Sequence, residues 1–164
     1  GENRVITKLG LDLLSRGPHK VGLQALLTAS GLAGRRIDGY DVSFVLAPRV
    51  NAAGRMSTPD IATRLLLASD DGLAEEAKGL AEQLNEENVR RQQEEAAIVA
   101  EAGNLLLSHR PPKGSLIGWR RRATDFRSAA QALLRAIDMR DFAAAQQSFR
   151  ELPRTCAACH AEYR

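Results

Sequence analysis

The sequence predicts a mainly α-helical chain in two parts. The first is a helical fragment with one or two short strands and a long connector helix, and the second is a helical hairpin. Three observations lead there. Apolar residues recur at helical spacing over most of the 164 residues. A single stretch, residues 41–47, alternates as a strand does. Charge and cysteine content step at residue 103, since residues 1–103 carry a balance of −3 and residues 104–164 one of +6, with Cys156 and Cys159 in the second part. The length suits one compact domain or two small ones. With 44% apolar and 26% charged residues, a wholly disordered, collagen-like or disulfide-stapled chain is excluded. No apolar run approaches the ~20 residues that span a bilayer. No signal peptide leads the sequence and it does not begin with Met, so a piece of something longer is expected.

Residues 2–16 place Val5, Ile6, Leu9, Leu13 and Leu14 at helical spacing, and Gly17-Pro18 ends the pattern. A short helix carries Leu23, Leu26 and Leu27 and stops at Gly31, which suits a left-handed cap. In DVSFVLA, Val42, Phe44 and Leu46 alternate with polar positions, so a strand is expected, closed by Pro48. A loop, PRVNAAGRMS, follows. The next helix runs from about Pro59 to Ala68 with Ile61, Leu65 and Leu66 inward, and Pro59 fits its first turn. Asp70 or Asp71 then caps a helix reaching from Gly72 to about Ala102, with a core stripe at Leu73, Ala77, Leu80 and Leu84. Beyond Leu84 the sequence NEENVRRQQEEAA is polar nearly all round, as in a helix that bridges domains. Thirty helical residues reach roughly 45 Å, the length of a connector.

Within the loop, Arg49 and Arg55 flank Asn51, two alanines and Gly54. Arginine presents a fork of donors that matches phosphate, and a small flexible backbone admits an anion closely. A surface loop with solvated arginines explains the same residues equally well. The runs ENRVITKLGLDLL, GLQALL, DVSFVLAPRVNAAGRM, ATRLLLASDD and AEQLNEENVRRQQEE resemble, in continuous order over about residues 1–102, the RecJ family of single-strand-specific DNA exonucleases. PRVNAAGRM is the most specific of them. The resemblance implies the end of a catalytic phosphoesterase domain followed by its connector helix. It also implies single-stranded DNA as partner, with Arg49, Asn51 and Arg55 on the nucleic-acid side and Arg55 contacting phosphate. The family's divalent metal (Mn or Mg) is held by clustered Asp and His residues, including an Asp-His-His motif. This part has one histidine, His19, and no Asp-His pair. Two-metal phosphodiester cleavage needs several such ligands, so neither the metal nor hydrolysis of DNA is expected here.

In the second part, the Pro-Pro of NLLLSHRPPKGS breaks any helix. Trp119, Ala123, Phe126, Ala130, Leu133, Leu134 and Ile137 then line one helix face. Asp138-Met139-Arg140-Asp141 makes a turn in which Asp141 caps the last helix. That helix carries a seam of Phe142, Ala145, Phe149, Leu152, Cys156, Cys159 and Tyr163, which suits an antiparallel pair or a bundle and puts both cysteines in a buried position.

Cys156-Ala157-Ala158-Cys159-His160 is a C-x-x-C-H. Two thiols at this spacing can add to the two vinyl groups of haem, and the adjacent imidazole can ligate the iron. Zinc normally takes four ligands, and His19 and His109 are too isolated to complete a set. A thioredoxin-like pair needs its first Cys at a helix N-terminus, whereas here a helix precedes it. Two buried structural cysteines also remain open, although they would leave His160 without a role.

PPKGS ahead of Trp119, the spacing of Asp141, Ala145 and Phe149, and the ending TCAACHAEYR resemble the C-terminal half of class II cytochromes c, the four-helix-bundle group that includes cytochrome c′. That makes the hairpin half of such a bundle. By resemblance, Cys156 and Cys159 form thioethers to a covalent haem c, and His160 is the proximal axial ligand. Arg164 would lie near a haem propionate, though a solvated terminus explains it as well. Pro153 inside the last helix departs from a regular helix and should kink it. Only two of the four bundle helices are clear, and the long connector helix could supply a third. Met139 lies in a turn and Met56 in the RecJ-like loop, so neither suits a sixth ligand and a five-coordinate haem is expected. Arg120-Arg121-Arg122, with Arg110, Lys113 and Arg127, could attract nucleic acid or an acidic redox partner, but a solvated face is commoner.

Three function classes follow: a haem-binding electron-transfer module, a RecJ-type DNA exonuclease whose catalytic residues lie elsewhere, and a composite (a fusion, natural or recombinant, or a joined pair of gene fragments) with neither activity intact. The compartments implied by the two resemblances conflict, cytoplasmic for the first part and periplasmic for the second. That conflict favours the composite.

Overall fold

The computed structural model describes all 164 residues. It contains seven α-helices and no strand: α1 (Glu2–Arg16), α2 (Val21–Ala29), α3 (Ala47–Met56), α4 (Asp60–Leu67), α5 (Ala74–Ser108), α6 (Leu116–Asp138) and α7 (Phe142–Tyr163). The chain divides into two compact units, Gly1–Arg91 and Gln92–Arg164. The packing boundary thus falls within α5, while the change in sequence character falls at Gly103. No helix is long and apolar enough to cross a membrane.

In the first unit the core gathers Leu26 and Leu27 of α2, Leu32, Ile37, Leu46, Ala53 of α3, Ile61 and Leu65 of α4, and Ala77, Leu80 and Leu84 of α5. The apolar residues of α1 split: Leu11 and Leu14 pack on this core, whereas Val5, Ile6, Leu9 and Leu13 are exposed. Close crossing of α2 and α4 depends on Gly22, whose N–H donates to Ala68 O at 3.0 Å. A Cβ at Gly22 would overlap the Leu65 carbonyl. Asp70 caps the short 3₁₀ turn Asp71–Leu73 through Gly72 N–H, and α5 follows directly. Of the stripe expected on α5, Ala77, Leu80 and Leu84 are buried and Leu73 is exposed.

The strand expected at residues 41–47 is helical, and so is the loop expected at 48–57 up to Met56, with Ser57 ending α3. Asp41–Leu46 is a π-helical turn, closed by the Ala47 N–H on Val42 O, and it runs straight into α3. Two causes are visible. The Asp38 carboxylate accepts the N–H groups of Tyr40 at 2.8 Å and Asp41 at 3.0 Å, satisfying donors that a helix start leaves free. Leu46 is buried with Val42 and Val45 beside it, a spacing of three and four, while Phe44 is exposed. Pro48 sits in the first turn of α3, where its missing N–H costs nothing.

In the second unit α6 and α7 form an antiparallel hairpin through the turn expected. Arg140 adopts φ 54°, and the Asp141 carboxylate accepts Ala144 N–H at 3.0 Å. The last turns of α5, from Gln92, add a third helical segment. Trp119 Nε1–H donates to Leu106 O at 2.8 Å, and a Cβ on Gly103 would come within 2.8 Å of Arg127. The face expected on α6 is inward, with Trp119, Ala123, Ala130 and Leu133 buried.

The seam expected on α7 holds at Ala145 and Leu152 but not at its phenylalanines. Ala144, Ala145, Ser148 and Leu152 turn toward the partner helix, while Phe142 and Phe149 are exposed at 78% and 65%. Small residues let the two axes approach, and a phenylalanine in that line would hold them apart. The cysteines, expected buried, are half-buried. The helix continues through Pro153, whose missing N–H leaves Phe149 O without its intrahelical donor at an exposed position.

Candidate functional site

Cys156, Cys159 and His160 lie on one face of the last turns of α7, spaced three and four apart. They line an open cleft of about 460 Å³ within the second unit. Leu106, Pro112, Trp119, Phe126 and Tyr163 supply its apolar walls, and Arg122 and Arg164 its cations. This volume lies in the ~300–1,000 Å³ range of ligand pockets. Both thiols are free and partly accessible. Burial pushes the Cys159 thiol up, and the Arg122 guanidinium pulls it back toward the thiolate.

The cleft is closed at one end by Tyr163, which is 5% exposed. Its ring stands edge-on to Trp119, centroids 5.3 Å apart and planes at 87°, and its hydroxyl donates to Ser115 O at 3.1 Å. Two glycines make room for it. Gly114 takes φ +76° with the Tyr163 ring 3.1 Å from where a Cβ would stand, and a Cβ on Gly118 would overlap the hydroxyl. Lys113 Nζ donates to Arg164 O at 2.6 Å. The final turn, which carries His160, is thereby tied to the start of α6.

The sequence groups Arg122 with Arg120 and Arg121, as a solvated face or an attraction for nucleic acid or an acidic redox partner, and the structure separates it from the other two. It stands on the α6 face between Trp119 and Phe126, three residues from one and four from the other, and its Nε–H donates to Glu162 Oε2 at 3.1 Å. The Tyr163 hydroxyl and then Arg122 hold the Glu162 carboxyl below the ordinary glutamate range. Burial and the neighbouring Glu162 carboxylate push the Tyr163 phenol up. Arg120 and Arg121 are exposed. The signal for Arg122 was its helical register with the two aromatic residues.

The other histidines serve helix ends. His19 Nε2 lies 2.8 Å from Leu14 O, and His109 Nδ1 lies 2.7 Å from Leu105 O. No three His, Cys, Asp or Glu side chains converge as a metal-binding group.

In the first unit Arg49, Asn51 and Arg55 are all on α3, and the helix sorts them. Arg49 turns inward. Its Nε–H donates to Asn85 Oδ1 at 3.0 Å, its terminal NH₂ to Val45 O at 2.7 Å, and burial lowers its pKa. Asn51 and Arg55 are exposed, one turn apart. Arg90 of α5 donates to Met56 O at 2.8 Å, tying down the C-terminal end of α3.

A family model described as Cytochrome C' matches residues 118–164, which hold α6 from its first turn onward, the turn and the whole of α7. The first part matches single-stranded-DNA-specific exonucleases named RecJ. The chain is 38% identical to that of Bacillus subtilis over 107 residues, 63% of this chain and 14% of that protein. It is 39% identical to that of Thermus thermophilus over 99 residues, 60% of this chain and 14% of that protein. It is 36% identical to that of Salmonella typhimurium over 100 residues, 61% of this chain and 17% of that protein. The chain therefore spans about a sixth of the length of these relatives or less. No solved structure matches it. Two resemblances thus divide one polypeptide: its N-terminal three-fifths is similar to RecJ exonucleases, and its last 47 residues to cytochrome c′.

Proposed function

We propose that the second unit binds haem c covalently, with Cys156 and Cys159 as the attachment thiols and His160 as the residue that would ligate the iron. The observation that carries this reading is the placement of both thiols and the imidazole on one helix face, opening into a cleft walled by Trp119 and Phe126. The residues fit the group: the walls are apolar, the thiols are free, and two guanidinium groups line the cleft, that of Arg122 paired with Glu162. Each thiol would add across a vinyl double bond, its sulfur bonding to one carbon and its proton passing to the other. No oxidant is needed. Haem, when bound, supplies a one-electron redox centre. The chain's part is to present His160 on a turn fixed by Tyr163, Ser115 and Lys113. Expression with haem-maturation machinery behind a secretion signal, followed by a pyridine haemochrome spectrum, tests this. A covalent signal that Cys156→Ala/Cys159→Ala abolishes is expected. Its absence from the unaltered chain refutes the reading.

A second reading belongs to the first unit. Asn51 and Arg55 are exposed one turn apart on α3, and the similar proteins are named for action on single-stranded DNA. We propose that this face contacts single-stranded DNA without cleaving it, and that the chain is a composite of two sequence families. Fluorescence anisotropy with a labelled oligothymidylate should show binding weakened by Asn51→Ala/Arg55→Ala. Mn²⁺-dependent turnover of single-stranded DNA by the purified chain would overturn the non-cleaving assignment.

A further inference from the structure

We infer that Arg122 is the carboxylate anchor of the cleft in the second unit, and that Glu162 occupies this anchor until a ligand carboxylate displaces it. The inference rests on the haem reading of the same cleft and names the residue that would receive an acidic substituent of the ring.

Arg122 is a cation set into an otherwise apolar line. Trp119 precedes it by three residues and Phe126 follows by four, so all three side chains leave the same face of α6 and line the cleft. A guanidinium in that position serves a ligand that is apolar over most of its body and anionic at an edge. Its present partner is suited to leaving. Between the two side chains the bond runs through Arg122 Nε alone at 3.1 Å, so the terminal NH₂ groups are not needed for it, and the other group that holds Glu162 is the neighbouring Tyr163 hydroxyl. The two side chains are 37% and 42% exposed, and Glu162 lies in the last turn of α7. Exchange of one carboxylate for another leaves the guanidinium paired throughout, and an arginine fork can take an incoming carboxylate through two parallel bonds where Glu162 now uses one. Released, the Glu162 side chain would turn to water.

An ion pair that serves packing and an ion pair that holds a site closed predict opposite signs for one variant. The test uses the full chain without haem and protoporphyrin IX as probe, which lacks iron and so cannot be ligated by His160. Trp119 is the only tryptophan and lines the cleft, so quenching of its fluorescence reports entry. Arg122→Gln should weaken binding about tenfold, the worth of one charge-assisted bond. Glu162→Gln should tighten binding several-fold by removing the competitor. The dimethyl ester of the porphyrin should bind all three chains alike. Weaker binding in both variants, no change in Arg122→Gln, or no quenching in the unaltered chain would each overturn the assignment. Loss of covalent attachment with these opposed shifts intact would sink the haem c reading alone.

Discussion

Replacing Tyr163 tests whether the closed end of the cleft holds the cysteine-bearing turn in place. The side chain contributes in three separable ways. Its hydroxyl donates to Ser115 O at 3.1 Å, its ring meets Trp119 edge-on, and its body is almost wholly withdrawn from water. Tyr163→Phe removes the hydroxyl alone, and with it the bond to Ser115 O and the hold on the Glu162 carboxyl, at a cost of about 1 kcal/mol. Tyr163→Leu also removes the ring pairing, adding about 0.5–1.5 kcal/mol. Tyr163→Ala empties the site and should cost about 3–5 kcal/mol. Trp119 fluorescence during urea unfolding reports on the second unit without requiring that the first unfold with it. Gly118→Ala gives an independent route to the same contact, because its methyl group would take the place of the Tyr163 hydroxyl. Combined with Tyr163→Phe it should cost clearly less than the sum of the two, as expected for residues that share one contact. A series in which Tyr163→Ala falls within about 1 kcal/mol of the unaltered chain would refute the closure, and the fixed position of His160 with it.

Arg49→Ala should destabilise the first unit by about 3 kcal/mol, because it strips two charge-assisted bonds from partly buried acceptors. Arg49→Lys should recover little of it, since one ammonium cannot reproduce a fork that reaches both Asn85 and Val45 O. Thermal unfolding followed by circular dichroism measures both, and a loss below about 0.5 kcal/mol would show the arginine to be ordinary surface. The second unit should weaken in acid through Glu162. Its folded pKa lies below its unfolded value, so its contribution is complete above the unfolded pKa and disappears as the pH falls through the folded one. Urea midpoints measured from neutral pH down through the carboxylate range should fall less steeply for Glu162→Gln. Parallel curves would contradict the assignment.

How much of this was legible in the sequence turns on the period assigned to each segment. Asp141 begins α7 as expected, and the Pro-Pro pair separates α5 from α6 where it should. Those segments carry long runs with strong caps. Residues 41–57 carry neither. Val42, Phe44 and Leu46 are three positions, too few to outweigh Val42, Val45 and Leu46, which satisfy a helix equally well. The capping carboxylate, Asp38, lies three residues upstream of the stretch being read. The same difference of period bears on the chemistry. Read as a loop, Arg49, Asn51 and Arg55 are equivalent ligands for an anion. Wound into α3, they separate, because Arg49 follows the buried side toward Ala52 and Ala53 while Asn51 and Arg55 face out. Arg122 shows the reverse case. Its helix was correctly expected, yet counting it within Arg120-Arg121-Arg122 hid a register with Trp119 and Phe126 that the same expectation already implied. A charged residue's role is therefore set by the period of the segment that carries it before its own chemistry is considered. In this chain the period turns one arginine, Arg49, into half-buried bonds with Asn85 and Val45 O, and brings another, Arg122, from a solvated face into the cleft.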